Sequence, residues 1–152
     1  MFYQTTVVLP VSRMKALISL LEKVEIQAKE KNMSDADVLA LRLSPDMFPF
    51  AKQIQIVSDN AKGMVSRLTG KEAPKMEDSE PTLADLRTRL ESTIAYVESF
   101  SEEDFSDAAT TEIRISYFPG LHMVGQDYVT GYALPNFFFH VVTVYSIFRH
   151  HG

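Results

Sequence analysis

The stretch that most limits how this chain can fold is Leu134-Pro-Asn-Phe-Phe-Phe-His-Val-Val-Thr-Val-Tyr-Ser-Ile-Phe-Arg-His-His-Gly152. It reads as one helix, opened by a proline at an early helical position and closed by a glycine. Its circumference is mostly apolar, and such a helix has to be central or lie in an interface. On a 3.6-residue wheel Asn136, His140 and Thr143 stack at i, i+4 and i+7 as a single polar file. Phe137, Val141, Val144 and Phe148 form one apolar stripe beside it; Phe138, Val142 and Tyr145 form another. Polar side chains enclosed in this way need partners, and those partners are where function can reside.

Three further helical patterns can supply the packing. The first starts near Pro10 and runs to about Lys31, with Met14, Leu17, Leu21, Val24 and Ala28 stepping by three and four. Lys15, Glu22, Lys23 and Lys29 are expected in solvent around that stripe. Ser34 is an N-cap signal for a short helix carrying Val38, Leu39 and Leu41. The second long pattern covers about Phe48 to Thr69, with Phe50, Ile54, Val57, Ala61, Met64 and Leu68 inward and Gly70 at its end. Gly63 inside it suggests a close helix approach. Residues 70–81 are polar and contain prolines, hence a loop. Thr82 with Asp85 caps a third helix, lined by Leu83, Leu86, Leu90, Ile94 and Val97. Ser101-Glu-Glu-Asp is a second cap signal, for a short turn of helix.

The pattern changes between residues 109 and 124. Thr111-Glu-Ile-Arg-Ile-Ser-Tyr117 alternates with period two, as a strand does. Phe118-Pro-Gly-Leu121 reads as a turn and His122-Met-Val124 as a return strand. An isolated hairpin is marginal, so this one should lie on the bundle. Gly125 to Tyr132 leads into the last helix as a turn or short helix. The whole is an all-α four-helix bundle forming one domain, residues 1–152, with a small hairpin in the crossover before the last helix.

Helix two offers partners for the polar file. Gln53 and Asn60 lie at the edge of its apolar stripe, and Gln53 can face Asn136 and His140 if the two helices are neighbours. Gln55, Asp59 and Lys62 point away, with Asp59 and Lys62 as an i, i+3 surface pair. Two readings of Gln53, Asn136, His140 and Thr143 stay open. They form a hydrogen-bonded cluster that fixes register, or they floor a small-molecule or metal pocket. His150 and His151 sit where the helix dipole favours cations, and His122 is expected on the surface.

Composition removes several function classes. Without cysteine there is no disulfide, thiolate metal site or cysteine nucleophile. A formal charge of −5 with no dense Lys/Arg run argues against nucleic-acid binding. No apolar run reaches membrane-spanning length, and the start lacks the regions of a secretory signal, so a cytoplasmic protein is expected. Phosphate loops, nucleophile elbows and two-histidine helical motifs are absent.

Leu43-Ser-Pro-Asp-Met-Phe-Pro-Phe50, Gln53-Ile-Gln55, Asp59-Asn-Ala-Lys62, Ala133-Leu-Pro-Asn-Phe-Phe-Phe-His140 and Arg149-His-His-Gly152 resemble a bacterial domain-of-unknown-function family. That family belongs to the DinB/YfiT-like superfamily, and the likeness spans about residues 10–152. Family chains usually continue a little past this glycine, so a truncated end is expected. The resemblance implies an up-down-down-up bundle, often a homodimer. It also implies a divalent metal such as zinc or nickel on three histidines, and in some members thiol-dependent transferase or isomerase activity. Here His140 resembles the second histidine of the last helix. Asn136 stands where the first would be, and Gln53 or Gln55 falls near the helix-two position. Amides are weak ligands and one imidazole does not hold zinc or nickel tightly. The expectation is therefore a degraded metal site without a cofactor. The protein is then a homodimeric small-molecule-binding or interaction module, contacting Gln53, Asn136, His140 and Thr143. The alternative is a metal- or thiol-dependent transferase or isomerase using His140.

Overall fold

Each periodic stripe becomes the buried face of a helix. In the computed structural model, which describes residues 1–115, 118–120 and 122–152, α1 spans Leu9–Glu30, α2 Asp35–Leu39, α3 Phe50–Thr69 and α4 Leu83–Glu98. The last long helix, α6, spans Leu134–His150. Every apolar residue named for the stripes of α1, α3 and α4 is buried. Local chemistry sets the ends. Ser34 and Thr82 each accept a hydrogen bond from the backbone N–H three residues on. Gly70 ends α3 at φ 73°, a left-handed conformation that favours glycine.

Two expectations about helix starts need correction. The helix at the amino end does not begin at Pro10: a π-helical turn, Gln4–Val8, runs directly into α1. Likewise α5 (Gly125–Tyr128) passes through a π-helical turn, Val129–Ala133, into α6. In both places a proline, Pro10 or Pro135, follows the π turn by two residues. Proline lacks an N–H and its ring crowds the carbonyl four residues back. Bonding across five residues rather than four relieves that crowding and lets the helix continue.

The hairpin is shorter than the alternating pattern suggests. Strand β1 (Glu112–Arg114) pairs antiparallel with β2 (His122–Val124), with Ile113 opposite Met123. Ser116 and Tyr117 of the expected strand, and Leu121 of the expected turn, lie outside the described residues. Ile113 and Ile115 point into the core, so the hairpin rests on the helices. The capped segment Ser101–Phe105 is a single 3-10 turn.

Among the long helices α3 packs on both α4 and α6, and α1 packs on α4 and α6. Ion pairs Lys15–Glu98 and Arg87–Glu25 join α1 to α4. The last helix is not central. Phe137, His140, Thr143, Val144 and Ile147 face inward, while Phe139, Val142 and Tyr145 are more than half exposed. Gly63 does not mark a close helix approach. The guanidinium of Arg67, in the same helix, lies over it and donates to the Tyr128 hydroxyl at 3.0 Å. Among the described residues no helix is long and apolar enough to cross a membrane.

Candidate functional site

The seam between α3 and α6 joins two pairs of polar side chains. Gln53 and His140 meet with Oε1 and Nδ1 2.6 Å apart, both residues buried. One helical turn earlier on α6, Asn136 Nδ2 donates to Asn60 Oδ1 at 3.1 Å. The spacing follows from the wheel, since i and i+4 stand on one face, about 6 Å apart along the axis. Two expectations shift. Asn136 is paired with Asn60 rather than Gln53. Thr143 is buried but turns its hydroxyl to the Phe139 carbonyl of its own helix, at 2.7 Å, so it takes no part in bridging the helices.

The hydrogen bonds fix the chemistry of the imidazole. Gln53 Nε2 donates to the Phe48 carbonyl at 3.0 Å. A carbonyl only accepts, so the amide has one sensible orientation, with Oε1 toward His140. Oε1 in turn only accepts, so Nδ1 carries the proton. The lone pair of His140 is thereby assigned to Nε2, which has no hydrogen bond to another described residue. Burial pushes the His140 pKa below its ordinary 6.5, so the ring is neutral at physiological pH.

A second unspent group lies beside it. Asn60 Nδ2 is buried without a partner. Flipping both asparagine amides preserves their mutual bond and only exchanges the orphan donor for an orphan acceptor. The seam therefore presents one imidazole acceptor and, about a turn away, one unpaired amide group.

Removing the Gln53 amide strands a buried N–H. Gln53→Leu is expected to lose about 2 kcal/mol of stability, read as a lower urea midpoint at unchanged slope. Adding His140→Leu removes the stranded group, so the double variant should be the more stable of the two. The pH dependence has a definite sign. The folded pKa of His140 lies below its unfolded value, so below about pH 6.5 the unfolded chain binds the extra proton. Stability is complete above that pH and falls as pH drops toward the folded pKa. A His140→Gln variant should lose this part of the decline in matched urea titrations at pH 7.5 and 5.5.

The opposite edge of α3 holds a charged cluster that periodicity does not reveal. Gln55 and Lys62, expected to point away, are buried, and so is Arg89 of α4. The Asp59–Lys62 pair is therefore no surface pair at its cationic end. Arg89 meets Asp59 at 2.9 Å, Asp78 at 3.0 Å and Glu80 at 2.7 Å. Burial opposes its charge, but the Glu80 hydrogen bond and the three carboxylates outweigh that and raise its pKa. Asp78 shows the converse: burial would raise its pKa, and Lys52 with Arg89 holds it below the usual carboxylate range.

Among the described residues no group of three or more His, Asp or Glu side chains is placed to hold a metal ion. Three surface cavities lie away from His140. One of about 290 Å³ opens beside Arg89, and others of about 350 and 360 Å³ adjoin Phe148 and Tyr3.

Comparisons with known proteins agree with this architecture. A family model described as a domain of unknown function, DUF1993, matches residues 2–152. The chain is similar to a DinB family member protein from Shewanella denitrificans known from a crystal structure. The TM-score is 0.94 and the identity 41%, covering 99% of this chain and 85% of that one. No curated protein matches the chain. A mostly helical bundle with a small antiparallel hairpin, matched over nearly all its length, belongs to the DUF1993 family and is a DinB-like protein.

Proposed function

We propose that this DinB-like domain is a homodimeric module that binds a small polar molecule at the α3/α6 seam, on the remnant of a metal site. The observation that carries the reading is the Gln53–His140 pair, which locks one tautomer and leaves Nε2 as a neutral acceptor. A ligand donating to Nε2 and pairing with the unspent Asn60 amide group would satisfy both. Asn136 holds the Asn60 amide, and Thr143 is buried on the same face of α6. The helix pairings described above support an up-down-down-up order of the four long helices.

The donor set does not fit a tightly held zinc or nickel ion. Gln53 spends its oxygen on His140, Asn136 is engaged with Asn60, and neutral amides are poor ligands beside a single imidazole. The Gln53 amide instead orients the ring, as groups behind a metal ligand commonly do.

The homodimer rests on charge. Residues 128–148 contain no Asp, Glu, Lys or Arg. Phe139, Val142 and Tyr145 are 54%, 57% and 53% exposed on the outer face of α6. Two copies at a net charge of −5 repel through most surfaces but not through this one. An isologous contact there would bury that outer face.

A fragment library of amides, alcohols and amines tests the ligand. Binders should shift the His140 ring signals in the wild type, and His140→Phe should lose their binding by calorimetry. Binders that leave His140 unmoved would remove the proposal. Sedimentation velocity should give a dimer for the wild type and a monomer for Val142→Glu; a wild-type monomer at high concentration contradicts the assembly.

A second reading, a transferase or isomerase of the superfamily's metal- or thiol-dependent type, is favoured by the same Nε2, which is arranged as a general base. Turnover of a thiol and electrophile panel that disappears in a folded His140→Ala variant would favour it over binding alone.

A further inference from the structure

Residues 71–81 cross the groove between α3 and α4 without one backbone–backbone hydrogen bond among the described residues. Side chains rising from the helices hold the segment instead. Ser66 Oγ donates to the Lys71 carbonyl at 2.7 Å and Tyr96 to the Glu72 carbonyl at 3.2 Å. Lys62 Nζ reaches the Pro74 carbonyl at 3.3 Å, and Arg89 Nη1 the Glu77 carbonyl at 2.9 Å. Two of the segment's carboxylates complete the hold. Asp78 pairs with Lys52 and Arg89; Glu80 accepts from Arg89 and, at 2.8 Å, from Gln55. Between these anchors Met76 lays its sulfur over a buried hydroxyl pair, 3.8 Å from Ser58 and 3.7 Å from Thr93. The two hydroxyls are themselves 2.7 Å apart.

This is how a protein surface reads an extended peptide. Donors to main-chain carbonyls set the register, and charged pairs with one apolar anchor set the sequence. The segment shares no backbone bond with the helices, so it can leave as a unit with every helical ladder intact. Its departure returns Arg89 and Lys62 to water, which offsets part of what is lost.

We propose that the α3/α4 groove is a binding site for an extended acidic peptide, and that residues 71–81 are its built-in, displaceable occupant. The partner carries a thioether or similar apolar side chain, with carboxylates two and four residues further on, as Met76, Asp78 and Glu80 are spaced. A tethered occupant acts at an effective concentration on the order of millimolar, so it keeps weak competitors out. The proposal concerns the other edge of α3 and does not depend on the His140 seam.

The test uses the full-length chain, a D78N/E80Q variant and a fluorescent synthetic peptide of residues 71–81. In the variant, tryptic cleavage between Lys75 and Met76 should accelerate at least tenfold while circular dichroism keeps the helix content. The labelled peptide should bind the variant at least tenfold more tightly than the wild type, and a peptide carrying the same two substitutions should fail to compete. Unchanged cleavage would overturn the charged latch. Released strap without peptide binding, equal binding to wild type and variant, or equal binding of a scrambled peptide would overturn the peptide site.

Discussion

Gly125→Ala is expected to destabilise the protein by about 3 kcal/mol, near the upper part of the range for forcing atoms into a packed core. Gly125 opens α5 and is buried. A Cβ there would stand 1.8 Å from the Ala108 carbonyl oxygen and 2.9 Å from Leu68 Cδ2. The leucine methyl can turn aside, but the carbonyl is backbone, in the turn that leads to β1. The substitution must therefore move either that turn or the start of the continuous helix through α6, and α6 carries His140. The glycine's backbone angle is ordinary, so the constraint is space and not conformation. Gly131 provides the control. Its Cβ would meet nothing within 4 Å, and Gly131→Ala should be neutral or stabilising by up to about 1 kcal/mol. In thermal unfolding the Gly125 variant should melt roughly 6–12 °C lower, and the Gly131 variant no lower than wild type.

Arg89→Met should cost about 3 kcal/mol, the low end of what removing one partner from a buried ion pair costs. Its side chain is 2% exposed and faces three carboxylates. Asp59 and Asp78 are 47% and 35% exposed and can recover water, so their share is small. Glu80 is only 11% exposed and bears most of the penalty. Adding Glu80→Gln to Arg89→Met should therefore restore more than half of the loss. Urea unfolding of wild type, both single variants and the double variant measures this coupling directly. A loss below about 0.5 kcal/mol for Arg89→Met would mean that the cluster behaves as an ordinary solvated surface.

The long helices were legible in sequence because apolar residues at three- and four-residue steps have one explanation. Met14 through Ala28 and Leu83 through Val97 are buried as their spacing requires. The caps at Ser34 and Thr82 and the glycine at 70 were legible for a local reason, since their chemistry lies within four residues. The π turns before Pro10 and Pro135 were not. A proline within a helical pattern signals a start, and only the packing of Val7 or Val129 reveals that the chain is already helical. At the site, Gln53 and His140 were within reach because both sit at the margin of an apolar stripe. The partner of Asn136 was not, since it depends on how far α3 slides along α6. Lys62, Gln55 and Arg89 were hidden more deeply. Periodicity treats a charge as solvated, and these are covered by a loop whose carboxylates come from a different part of the chain.

The proposed site depends on a neutral His140 imidazole held by an amide, with the lone pair on Nε2 open to a ligand rather than taken by a metal. Two-bond proton–nitrogen NMR of the histidine-labelled chain at pH 7.5, with and without one equivalent of zinc, tests it most directly. A protonated Nδ1, an unprotonated Nε2 and signals unchanged by the zinc are expected. Protonation on Nε2, or stoichiometric zinc capture at the His140 ring, would contradict it.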